Sequence, residues 1–236
     1  MAKNREQVET GLPVAPVRRR TVSEYAVYEF EVKKSTFIGY CKPVLTKEEA
    51  DAFVDEIRKK HSDARHNVYA WVLKKNINLQ KYSDDGEPSG TAGLPVMSVL
   101  TKNGLTDLAV VVTRYFGGIL LGKGGLMRAY TKAASGAVRK ALPVTLEMCA
   151  VYKTRVDYKN CDKLIFEINN KGWTVQNVEY GENVEFINNI PLEKAQEFTD
   201  FVFDVSSGTI VPEKIDETEA MSGEFEFLEE EIDEAE

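Results

Sequence analysis

A chain of 236 residues with 43% hydrophobic content and 16 glycines suits one large or two small globular domains, and no apolar run nears the roughly 20 residues of a membrane helix. Residues 1–10 are polar with mixed charge, so no secretory signal is expected, and three scattered cysteines without a CxxC pair (Cys41, Cys149, Cys161) speak against structural zinc and for a reducing, cytoplasmic setting. The net charge of −8 is unevenly spread: residues 213–236 hold twelve acidic residues and one lysine, a contribution of −11, which leaves +3 on residues 1–212.

In chain order, residues 1–20 lack periodicity and carry Pro13, Pro16 and Arg18-Arg19-Arg20. They read as a flexible arm, with arginines that either meet phosphate or stay solvated. From Glu24 to Tyr40, Tyr28, Phe30, Val32, Phe37 and Ile38 mark two strands that turn near Lys33-Lys34-Ser35. Thr46 or Lys47 starts a helix, with Glu48, Glu49 and Asp51 at its positive end and Ala50, Phe53, Val54 and Ile57 as its buried stripe. Val68–Leu73 is a strand, and residues 76–79 are a turn and short connection.

The loop Ser83–Gly93 places Asp84, Asp85 and Glu87 within four positions. Carboxylates so close suit a divalent cation or acid–base work, with His66 as a further candidate. Asp-Gly and Glu-Pro are equally turn signals, and Ser89 or Thr91 is placed to cap a helix over residues 94–101. Asn103-Gly104 stops that helix. Neither His61 nor His66 stands in a metal-ligand spacing, so no metal and no cofactor is expected, and a solvated or core role is the default for both.

Leu108–Val112 is an apolar strand, followed by a loop with five glycines in nine positions, Gly117, Gly118, Gly122, Gly124 and Gly125. Glycine at that density costs backbone entropy and implies positive φ or a close approach of backbone. A glycine loop between strand and helix presents N–H groups to an anion. Arg114, Lys123, Arg128 and Lys132 bring positive charge to the same stretch, although Arg114 is alternatively placed to pair with Asp84 or Asp85. Against the P-loop pattern GxxxxGK[ST], Gly117, Gly122 and Lys123 match, but Gly124 stands where a magnesium-binding Ser or Thr is needed. Anion binding needs only N–H groups and survives that mismatch, whereas nucleotide hydrolysis, with no clear second magnesium ligand later in the chain, is the lesser reading. The helix expected from Gly125 to Ala141 turns Leu126, Ala129, Tyr130, Ala133, Ala137 and Val138 inward, with its charges on the outer face.

After Pro143 the pattern becomes βαββαβ, the split order of a ferredoxin-like domain. Strands are expected over 148–158, 173–180 and 184–190, helices over 163–171 and 192–206, and a closing strand at Thr209–Val211. The layout is therefore α+β: a flexible arm at 1–22, domains at 23–142 and 145–212, and an acidic tail at 213–236. The tail reads as disordered and solubilising. Phe225, Phe227 and Leu228 interrupt its charge and leave a partner-docking segment open.

The segments Ser83–Gly93, Val111–Gly118, Leu121–Leu126 and Arg128–Tyr130, with His66-Asn67 and Ser35–Ile38, closely resemble the YigZ/IMPACT family over about residues 20–210. Trp71-Val72-Leu73 departs from its pattern, which more often has a polar residue there. The resemblance implies an N-terminal domain like the second domain of a small-subunit ribosomal protein and a ferredoxin-like C-terminal domain. Eukaryotic relatives act in translational control, using an extra domain; the two-domain layout here resembles the bacterial branch, whose members have at times been labelled peptidases. Three functions compete. The first is a translation-associated regulatory module that binds RNA or the ribosome. The second is a protein-interaction regulator without nucleic-acid contact. The third, ranked last for want of a nucleophile–base pair, is a hydrolase using His66, Asp84, Asp85 and Glu87.

Overall fold

The computed structural model describes residues 18–74 and 79–224. The chain divides into two compact units, one of Arg19–Leu146 joined by the chain from Met221, the other of Glu147–Ala220 joined by Arg18.

The first unit contains β1 (Arg19–Val22), β2 (Ala26–Val32), β3 (Ser35–Pro43), α1 (Lys47–Lys60), β4 (His66–Leu73), β5 (Leu79–Ser83), α2 (Gly93–Lys102), β6 (Leu108–Tyr115) and α3 (Gly122–Lys140). Five strands form an antiparallel sheet in the order β2-β3-β6-β4-β5. The central strand β6 is buried from Leu108 to Arg114, because helices cover both faces. Alternate residues feed different cores. Val110 and Val112 pack with Phe37, Val68 and the inner stripes of α2 and α3. Ala109 and Val111 pack with Tyr40, Trp71 and Phe53 beneath α1.

Local chemistry sets the ends of these elements. Thr46 Oγ1 accepts from the Glu49 amide at 3.1 Å, and Glu49 reaches back to the Leu45 amide at 2.7 Å, a capping exchange that starts α1. Lys33 and Lys34 both take positive φ at the β2–β3 turn, as a tight hairpin requires. Gly39 on β3 lies so close to α3 that a Cβ there would stand 2.4 Å from the Ala133 carbonyl oxygen.

The second unit contains most of β7 (Pro143–Val156), then α4 (Tyr158–Asn170), β8 (Val175–Tyr180), β9 (Val184–Pro191), a short 3₁₀ turn at Leu192–Lys194, α5 (Ala195–Val205) and β10 (Glu213–Glu224). The order β8-β9-β7-β10 interleaves the strands as a ferredoxin-like domain does. Tyr152, Leu164, Ile168, Trp173, Phe186, Phe198 and Val202 fill its core.

Five expectations change. The fourth strand is Glu213–Glu224, not Thr209–Val211, so the acidic stretch is partly a strand; residues 225–236 lie outside the described residues. Charge counting misread it because edge strands carry charge readily. Arg19–Val22 is a strand paired with Pro143–Leu146, not an arm, while residues 1–17 lie outside the described residues. The strand β5 was not anticipated, since Leu-Gln-Lys-Tyr-Ser is mostly exposed and lacks an alternating apolar signal; most of the turn read at 76–79 lies outside the described residues. Finally, α3 starts at Gly122 rather than Gly125, and α4 at Tyr158 rather than Lys163, where Asp157 Oδ1 accepts from the Asn160 amide at 2.8 Å.

Candidate functional site

The acidic loop folds around its own carboxylates. Asp84 is the cap of α2, a part assigned above to Ser89 or Thr91. Its Oδ1 accepts from the Ala92 and Gly93 amides at 3.0 and 2.8 Å, and its Oδ2 from the Gly90 amide at 2.9 Å. Asp85, held at a φ of +43° that Asp tolerates better than most residues, accepts from the Asn67 amide at 2.7 Å and from Arg58 at 2.7 Å. His66 Nδ1 lies 2.9 Å from the Asp85 carbonyl, which only accepts, so Nδ1 carries the proton and Nε2 faces Glu87 at 3.9 Å.

Glu87 is buried. One of its oxygens receives Arg114 Nη1 at 2.7 Å and the Tyr130 hydroxyl at 2.8 Å. Arg114 is only 6% exposed and lies between the Phe37 and Phe116 rings, 5.5 Å from each centroid. Burial, then the Glu87 charge, pushes the Tyr130 phenol far above its ordinary value, so it stays a neutral donor. The cluster joins β6, α3 and the loop through one carboxylate. Arg114 therefore pairs with Glu87, not with Asp84 or Asp85, and its burial removes it from any exposed anion surface. Among the described residues, no group of three or more His, Cys, Asp or Glu side chains is placed to hold a metal ion.

The glycine loop divides by purpose. At Gly117 a Cβ would stand 1.8 Å from the Lys34 carbonyl oxygen, and the Gly117 amide already donates to Ser35 Oγ at 3.2 Å. That glycine serves packing, so its N–H is not offered to a ligand. Gly118 and Gly122 take φ of +88° and +69°, and a Cβ at either would meet nothing within 4 Å, so they shape the turn into α3. Gly125 sits against Leu121, with 3.1 Å to a virtual Cβ. At Gly124 a Cβ would lie 3.6 Å from Arg128 Nη1, an ordinary contact, so space does not require glycine there.

Helix α3 carries Lys123, Arg128, Lys132, Arg139 and Lys140 and no acidic residue. Its first turn has neither an acidic side chain nor a side-chain cap, so the positive end of the helix dipole is uncompensated from within. Lys123, Arg128 and Lys132 are exposed, and among the described residues none of them forms a salt bridge. Arg128 and Lys132 share a face at i,i+4, and Lys132 Nζ sits 5.1 Å from the Phe30 centroid. Around the helix start, Phe116, Ile119 and Met127 are 43–45% exposed and Leu120 is 82% exposed. The likeness to a P-loop ends in sequence, because β6 runs antiparallel to both neighbours, β3 and β4.

Two sets of residues took parts the sequence did not show. Arg18 pairs with Glu147 and Glu193, Arg19 with buried Asp107, and Arg20 Nη1 donates to the Asn103 carbonyl at 3.4 Å, so the arginine triplet is engaged internally rather than offered to phosphate. His61 bridges Tyr40 and Tyr115 at 2.5 and 2.8 Å. Since the Tyr115 hydroxyl donates to Asp63 at 2.9 Å, His61 Nδ1 is the donor to Tyr115 and Nε2 accepts from Tyr40. Burial holds this imidazole below its ordinary pKa.

Comparison with known proteins gives the lineage. Residues 33–138 match the Impact N-terminal domain, and residues 154–209 match a domain of unknown function, DUF1949. The IMPACT family member YvyE of Bacillus subtilis (strain 168) is 37% identical over 209 residues, 89% of this chain and 93% of that one. YigZ of Escherichia coli (strain K12) is 35% identical over 201 residues, 84% of this chain and 94% of the relative. A crystal structure described as a hypothetical protein aligns at a TM-score of 0.52 and 31% identity, over 84% of this chain and 98% of that chain. By both of its domains and by these near full-length relatives, the chain belongs to the IMPACT family.

Proposed function

We propose that this protein is a translation-associated regulatory module that binds RNA, free or in the ribosome, through the start and outer face of α3. One observation carries the reading. A helix of 19 residues bears five cations and no anion, and its glycine-bare first turn lacks a side-chain cap. Such an end draws phosphate to free N–H groups, while Lys123, Arg128 and Lys132 neutralise neighbouring phosphates. Translational control as the setting comes from the family resemblance. The carboxylate loop supports a hydrolase less well, since Asp84 caps α2, Asp85 holds Arg58 and the Asn67 amide, and Glu87 is bound to Arg114 and Tyr130.

A protein partner is the second reading, favoured by Leu120 at 82% exposure beside Ile119 and Phe116. Purified protein tested at low salt against single-stranded RNA and ribosomal subunits separates the two. The proposal expects binding weakened by Lys123→Ala and by Arg128→Ala across all RNA sequences, with unchanged melting temperatures. Absence of RNA and ribosome binding at low salt moves the function to a protein partner.

A further inference from the structure

We propose that the open edge of β2 binds an extended peptide in which basic and apolar residues alternate, and adds it to the sheet of the first unit as a further strand. This binding is independent of the RNA reading above. β2 (Ala26–Val32) ends that sheet, and among the described residues β3 is its only strand partner. The β2–β3 turn holds two residues, Lys33 and Lys34, both at positive φ, so Val32 and Ser35 flank it as a pair that exchanges hydrogen bonds. Such pairs alternate along an antiparallel ladder. Phe30, Tyr28 and Ala26 therefore turn their N–H and C=O groups toward β3, and Glu31, Glu29 and Val27 turn theirs outward. An open row of backbone donors and acceptors is what an added strand pairs with.

Side chains choose the occupant. Glu29 and Glu31 are exposed on one face of β2, and among the described residues neither forms an ion pair. On the other face Tyr28, Phe30 and Val32 are half-buried against the core beneath α3. Lys132 Nζ lies 5.1 Å from the Phe30 centroid and Lys140 Nζ 5.6 Å from that of Tyr28, so further cations are unwelcome on that face. A second copy of β2, laid antiparallel in full overlap, sets Glu29 against its own counterpart and Glu31 against Val27, which is unfavourable. A strand with lysine or arginine at every second position instead meets Glu29 and Glu31 with opposite charge. Its intervening apolar side chains then extend the row Tyr28, Phe30 and Val32.

The test uses the full-length chain, isotope-labelled for nuclear magnetic resonance, and two peptides of about eight residues with the same composition. One alternates lysine and valine; the other places all its lysines before all its valines. At low salt the alternating peptide is expected to shift the Val27, Glu29 and Glu31 amides saturably and to protect them from hydrogen exchange, and the block peptide to leave them unchanged. A Glu29→Lys/Glu31→Lys variant, altered only at exposed positions, should bind the alternating lysine peptide about tenfold more weakly than wild type, and an alternating glutamate–valine peptide about tenfold more tightly. Protection of these amides that grows with protein concentration, alongside dimers in sedimentation, would give the edge to a second copy. Full protection in dilute, peptide-free protein would mean that the chain fills its own edge. Either result overturns the proposal, as do equal shifts from both lysine peptides, shifts away from β2, or peptide preferences that the variant leaves unchanged.

Discussion

Glu87 shows how far a residue's part lies from its local sequence. As one of three carboxylates in a turn it reads as a catalytic or cation-binding candidate, but its partners come from β6 and α3, 27 and 43 positions away. Only the β4–β6 register, which sets His66 opposite Arg114, brings them together. Asp84 escaped in the same way, because it caps α2 from eight and nine residues upstream, beyond the three-residue span of an ordinary cap. Removing Glu87 would leave Arg114 charged and buried. We expect Glu87→Ala to cost about 3–5 kcal/mol in urea unfolding, and a joint Glu87→Met/Arg114→Met replacement to recover most of it. A loss below about 1 kcal/mol in the single variant would refute the brace. His61 gives a pH signature. Its folded pKa is depressed by burial, so the neutral ring's contribution is whole above the unfolded value, near ~6.5, and is lost as pH falls from there toward the lower folded value. The melting-temperature advantage of wild type over His61→Gln should therefore shrink between pH 7.5 and 5.5; a constant difference would show that the ring is not held neutral.

At the scale of elements, periodicity revealed whatever has one buried face. The stripe Ala50, Phe53, Val54 and Ile57 and the turn at Lys33-Lys34 stand where the pattern placed them. It failed where an element is exposed or charged, as in β5 and β10, since an edge strand is held by backbone pairing that leaves little mark in side chains. Amide hydrogen exchange tests the second case: Glu213–Met221 should be protected alongside β7, and exchange at the rate of free chain would contradict the strand. The glycines divide similarly. Density in sequence implied positive φ or a close approach of backbone: Gly118 and Gly122 take positive φ, and Gly117, like Gly39 on β3, is required by neighbouring backbone. Gly39→Ala should destabilise by about 1–3 kcal/mol, as overpacking does, through separation of α3 from β3. A neutral result in thermal melts would mean that the helix shifts without cost.

For the whole molecule, the α+β class and the ferredoxin-like order of the second unit were legible because βαββαβ spacing is set by loop lengths and hydrophobic runs. The candidate surface was legible in part. Lys123, Arg128 and Lys132 are exposed as the sequence placed them, whereas Arg114 is drawn inside by Glu87, a pairing that depends on strand register. The net charge of −8 hides this surface, because the acidic stretch from Glu213 outweighs a mildly basic remainder. The central claim is that α3 binds phosphate by charge neutralisation. The most direct measurement is the affinity of full-length protein for single-stranded RNA as a function of salt, for wild type and for a Lys123→Ala/Arg128→Ala/Lys132→Ala variant. At about 0.7 per phosphate contact, three contacts predict that the slope of log K against log salt is shallower in the variant by about 2 units. Equal slopes for the two proteins, or no binding by wild type at low salt, would contradict it.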